Sequence, residues 1–144
     1  MSMNRQLVSS GNAYEKEIGF SRAVRVGSMV FVSGTAPVGP DGKTVGVGDA
    51  AAQTKRCFEI IASALAEAGA EMKHVVRTRM FVTDVALWEE VGRAHGEVFG
   101  DIRPAATMVE VSKLIDPDWV VEIEAEAVIM EDGETWQNAW AQTD

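Results

Sequence analysis

Across residues 49–68 the apolar side chains Phe58, Ile61, Leu65 and Ala68 recur at three- and four-residue spacing. Cys57, Ile60 and Ala64 widen that stripe, so the segment is expected to be an amphipathic, core-facing helix. Asp49 stands where an N-cap is needed and Gly69 where the helix should stop. Leu87, Val91, Ala94 and Val98 draw a second stripe through 84–99, with Asp84 as the expected cap and Gly100 as the end. Elsewhere the period is two. Residues 23–26 and 29–33 flank a Gly27-Ser28 turn, a tight-hairpin signal, and 75–83, 106–114 and 119–129 read as further strands. The order is two or three strands, a helix, a strand, a helix and two strands. An α+β fold follows, with one mixed sheet and both helices on one of its faces.

That arrangement leaves the other sheet face bare. A partly apolar face in water favours association of subunits, and charged side chains on it must pair or bind something. Arg77 and Arg79 alternate on one strand, as Glu122, Glu124 and Glu126 do on another. Ion pairs follow if those strands are neighbours. A sharper expectation keeps one glutamate out of the pairs, to relay a proton from a partly desolvated position that raises its pKa.

Length and composition narrow the picture. A chain of 144 residues, 47% hydrophobic, fits one domain with a continuous core. Residues 1–130 are expected to form it, and 131–144 to be an acidic tail carrying Trp136 and Trp140. No apolar run reaches the roughly 18 residues of a membrane span, and MSMNRQLVSS lacks a leader's apolar stretch, so a cytoplasmic location is expected. A formal charge of −9 with scattered basic residues argues against nucleic acid. The lone cysteine, Cys57, lies on an apolar stripe and reads as a small buried hydrophobe. His74 and His95 lack ligand spacing, so no metal is expected. The glycines of VGPDGKTVGVGD follow no phosphate-loop pattern and read as a mobile surface connection. Phe20 and Trp88 can join the core or wall an apolar pocket.

Four stretches resemble one known family: FSRAVRVGSMVFVSGTAPVGPDG, DAAAQTKRCFEIIASALAEAGAEMKHVVRTRMFVTDVALWEEV, RPAATMVEVSKL and VEIEAEAV. They are similar to the RidA/YjgF/UK114 proteins, also called endoribonuclease L-PSP, over about residues 18–129. The resemblance implies a chorismate-mutase-like fold, a homotrimer around a central barrel, small-molecule pockets at the subunit interfaces, and no metal or organic cofactor. In deaminase members it implies hydrolysis of 2-imino or enamine acids to 2-keto acids and ammonia. There an arginine in the motif PAR-Ser/Thr grips the substrate carboxylate, and a glutamate in the last strand positions water.

Carried across, that glutamate falls on Glu122 and that arginine on Ala106, whose methyl group cannot hold a carboxylate. Thr107 keeps a hydroxyl, Met108 stands where many members have cysteine, Phe20 where a tyrosine is expected, and Gly92 where an asparagine is common. Arg22, Arg25, Arg79 and Arg103 are the cations in line to replace the missing one. The candidate site is therefore Glu122 as catalytic group, with Phe20, Trp88, Arg103, Ala106, Thr107 and Met108 as ligand contacts. Two functions fit: a hydrolase attacking a C=N or amide-like bond in something other than a simple 2-imino acid, or a non-catalytic metabolite-binding protein. Ribonuclease activity is disfavoured by the acidic surface.

Overall fold

The Asp49 carboxylate accepts a hydrogen bond from the Ala52 amide (3.0 Å), and α1 (Ala50–Glu67) starts from that cap. The computed structural model describes residues 4–131. At the far end of α1 the chain turns out at Gly69, whose φ of 85° suits glycine. A Cβ there would also meet the Arg25 guanidinium at 2.8 Å. Arg25 donates to the Ala68 carbonyl (2.7 Å) and to Gly27 (2.9 Å), tying the first hairpin to the end of the helix.

The strands are β1 (Arg5–Val8), β2 (Ala23–Val26), β3 (Met29–Thr35), β4 (Val75–Val82), β5 (Ala105–Glu110) and β6 (Val121–Val128). They form one sheet in the order β1-β2-β3-β6-β4-β5. Every pairing is antiparallel except β4 with β5, which α2 (Trp88–Phe99) connects as a crossover. Asp84 caps not α2 itself but the single 3₁₀ turn Val85–Leu87 ahead of it, accepting from the Ala86 amide (2.9 Å). The helix therefore begins later than its stripe suggests. β1 and the short π-helical turn Glu15–Gly19 carry no periodic pattern, since only one residue of each is buried.

One face of the sheet is the core. Val30, Val32, Met80, Val82, Val121, Ile123, Ala125 and Ala127 pack under Phe58, Ile61, Leu65, Val91 and Phe99 from the two helices. His95 belongs there: its Nε2 lies 2.9 Å from Thr78 Oγ1, its ring packs against Phe58 and Phe99, and burial lowers its pKa. His74 Nδ1 accepts from the Glu71 amide (2.9 Å). No group of three or more metal-ligating side chains occurs among the described residues. On the opposite face Leu7, Met29, Phe31 and Val109 are exposed. No described helix is long and apolar enough to cross a membrane. Trp136 and Trp140 lie outside the described residues.

The connection 36–49 is pinned, contrary to a mobile loop. Val38 and Thr44 bridge, Arg56 Nε donates to the Val38 carbonyl (2.8 Å), and Trp119 Nε1 reaches Thr44 Oγ1 (3.1 Å). Gln53, fully buried on α1, joins three segments: its amide donates to the carbonyls of Gly46 (3.2 Å) and Asp118 (2.8 Å) and its oxygen accepts from the Val120 amide (2.9 Å). That clamp fixes the entry to β6.

Candidate functional site

Strand alternation sends Val121, Ile123, Ala125 and Ala127 of β6 into the core and Glu122, Glu124 and Glu126 to the bare face. β4 pairs beside them and offers two arginines. Arg79 Nη1 lies 2.9 Å from Glu126 and 3.3 Å from Glu124, and Arg77 Nε is 3.9 Å from Glu126. Glu122 is treated differently. Its register partner on β4 is Phe81, and among the described residues no ion pair reaches it.

What Glu122 has instead is a seat. The β3–β6 register shifts between Val32 and Thr35, a bulge that sets Gly34 beneath the carboxylate. A Cβ on Gly34 would collide with Glu122 Oε2 and lie 3.3 Å from its Cδ, so the close approach requires glycine. The guanidinium of Arg22 donates through Nη2 to the Gly34 carbonyl, while its Nε is buried without a partner. The Arg22 backbone is held too: its amide donates to Val8 (2.8 Å) and its carbonyl accepts from Ser33 (3.0 Å).

Burial pushes the Glu122 carboxyl above its ordinary pKa; Arg22 opposes the rise and Glu124 adds to it. A carboxyl poised in this way can take a proton from water and return it to a leaving group. On the helix side, the Cys57 thiol contacts the Thr35 carbonyl (3.2 Å), and burial, then Glu122, push its pKa up to about 12. Thiolate chemistry is therefore closed to it. In the folded protein at neutral pH, Cys57 should resist a chromogenic disulfide reagent for hours and react within minutes in denaturant. Prompt labelling of the native state would contradict this burial.

The other sequence-derived positions lie apart from Glu122. Ala106, Thr107 and Met108 pair with Thr78, Arg79 and Met80, on an edge strand separated from β6 by β4. Parity turns Ala106 and Met108 to the helix side, where Met108 packs on the core, and Thr107 to the bare face. Trp88 is exposed at the start of α2. Arg103 has a left-handed φ of 55° and its amide donates to Phe99 (2.8 Å), turning the chain from α2 into β5. Phe20 lines an open cleft of about 720 Å³ with Leu7, Ser21, Val24 and Ser33, and Glu122 does not line it. A single chain thus brings Glu122, Gly34 and Arg22 together but not Glu122 with the β5 residues. Sequence reasoning missed Gly34, which nothing local marks except a glycine closing a strand.

The profile of the family described as Endoribonuclease L-PSP matches residues 10–129. A crystal structure of a YjgF/YER057c/UK114-family protein from Mycobacterium tuberculosis is 48% identical, with a TM-score of 0.79 over 88% of this chain and 100% of that one. A RutC family protein of Pyrococcus abyssi is 38% identical over 111 residues, 76% of this chain and 87% of that protein. The 3-aminoacrylate deaminase RutC of Acinetobacter baylyi is 37% identical over 101 residues, 70% of this chain and 79% of that protein. The matched profile spans the hairpin, both helices and the strand that carries Glu122, and the fold is that of the solved family member. This chain belongs to the endoribonuclease L-PSP family, the RidA/YjgF/UK114 proteins.

Proposed function

We propose that the protein is a deaminase-like hydrolase in which Glu122 directs water onto the C=N carbon of a small imine or enamine. The observation that carries this reading is the Glu122 carboxyl itself: half-buried, outside the ion pairs, and seated on Gly34. Glu122 takes a proton as water adds to the carbon and returns it to nitrogen, giving a carbinolamine; it then relays the hydroxyl proton to the amine as the C–N bond breaks, leaving a carbonyl and ammonia. An enamine enters the same path after tautomerising to the imine. The relative named 3-aminoacrylate deaminase supports this chemistry.

The pocket is completed by further copies of the chain, in a cytoplasmic homotrimer. Two observations support this: apolar Leu7, Met29, Phe31 and Val109 exposed on one sheet face, and the separation of Glu122 from β5 within one chain. Phe20, Trp88, Arg103, Ala106, Thr107 and Met108 are the proposed ligand contacts of that assembled pocket. Ala106 replaces the arginine by which deaminase relatives grip a carboxylate. Losing a bidentate contact of that kind costs about 2–4 kcal/mol, so simple 2-imino acids should be poor substrates. The same substitution favours the second reading, a trimer that binds a metabolite without turning it over.

Ammonia release over the buffer rate separates the two, using 2-iminopropanoate, 2-iminobutanoate, 3-aminoacrylate and imines without a carboxylate. Acceleration of at least one, weakest for the first two, is expected. Buffer rates throughout would leave the binding protein. Stability provides a further check. A carboxyl whose folded pKa is raised loses stability as pH climbs from its unfolded value through its folded one. Glu122→Gln should therefore melt higher than wild type at pH 7, the difference vanishing below about pH 4, the range of an ordinary glutamate.

A further inference from the structure

We propose that Arg22 is a positioning residue for Glu122: anchored on the Gly34 carbonyl, its guanidinium supplies the counter-charge that holds the Glu122 carboxylate over Gly34. The inference rests on Glu122 being the working carboxyl of the site, and it assigns to the residue just before β2 a role for which the missing arginine at position 106 gives no precedent.

Of the four arginines in line to compensate for Ala106, three are engaged elsewhere. Arg25 bridges two backbone carbonyls, Arg79 pairs with Glu124 and Glu126, and the Arg103 backbone closes the end of α2. Arg22 alone among them is set beside Glu122. Gly34 links the two, its carbonyl accepting from the guanidinium and its Cα lying under the carboxylate. The buried Nε without an acceptor is the telling detail, because a buried donor left unpaired is costly and persists where it does something. With Nε buried and Nη2 committed to the Gly34 carbonyl, the guanidinium is set to act through Glu122.

The groups around Glu122 leave this role to Arg22. From β6 comes Glu124, repelling it; from β4, Phe81, without charge; from α1, the protonated Cys57 thiol. Glu15, beyond Arg22, competes for the same cation. Burial disfavours its charge, yet hydrogen bonds from the Ser10 hydroxyl and amide hold its carboxyl below the ordinary range. Arg22 is the influence that favours Glu122's charged form. Without it, burial and Glu124 act unopposed.

The test is the titration of the Glu122 side-chain carboxyl, followed by carbon NMR on the full-length protein and assigned by its absence in Glu122→Gln. Arg22→Gln should raise the midpoint by about one pH unit or more, and Arg22→Lys should restore most of it. Glu15→Gln leaves the Arg22 hydrogen bonds in place and frees its charge, so it should lower the midpoint. Should Arg22→Gln fail to fold, Glu15→Gln decides the question by itself. A midpoint unmoved in Arg22→Gln, or in Glu15→Gln where that variant decides, would overturn the proposal. No substrate enters this titration, so its outcome is independent of whether ammonia is released.

Discussion

Gly34→Ala should abolish the function of the site while leaving the fold standing. The added Cβ falls on the Glu122 carboxylate, the movable end of a side chain, and the backbone there has no positive φ. The collision is therefore relieved by the carboxylate swinging away, not by the sheet opening. Alanine also loses less entropy than glycine in a strand, a gain of about 0.5–1 kcal/mol that offsets residual crowding. Global stability should stay within about 1 kcal/mol of wild type by urea denaturation. Activity on the best substrate should fall about a hundredfold, the usual result of misplacing a reacting group by about 1 Å. The Glu122 titration should also move back towards that of an exposed carboxylate, a readout that needs no substrate. Retained activity with an unchanged titration would show that the carboxylate does not depend on its seat.

Gln53→Leu should have the largest effect on stability. Leucine fits the volume but strands the Asp118 carbonyl and the Val120 amide, both beside a fully buried position, while the Gly46 carbonyl keeps the Asp49 amide. At about 1–3 kcal/mol for each unsatisfied group, a loss of about 2–6 kcal/mol is expected. Denaturant midpoints on purified protein measure it, and a loss under about 1 kcal/mol would mean that the clamp is dispensable. Because the clamp fixes Val120, one residue before β6, the damage should reach Glu122 as well.

The sequence made some of this legible and concealed the rest for identifiable reasons. Helical spacing in 49–68 gave α1 and its Asp49 cap, and alternating charge on two strands gave the pairs of Arg79 with Glu124 and Glu126. Both signals are local or need only one assumption about neighbours. Charge alternation suggested that one glutamate would stay out of those pairs and the family resemblance pointed to Glu122, but the register shift in β3 that seats it was not legible. Within one chain the parity of β5 turns Ala106 to the helix side, away from the face that carries Glu122. Parity between distant strands cannot be read from periodicity within one. Gln53 did leave a trace: a polar residue four before Cys57, on the apolar stripe of α1, where only a satisfied buried amide belongs.

Ammonia release by the wild-type protein and by Glu122→Gln, on whichever imine or enamine the wild type accelerates most, tests the central claim most directly. The account predicts a loss of about a hundredfold or more in the variant, the size of a missing general base, together with a higher melting temperature at neutral pH. Equal rates in the two proteins would remove Glu122 from the chemistry and contradict the account.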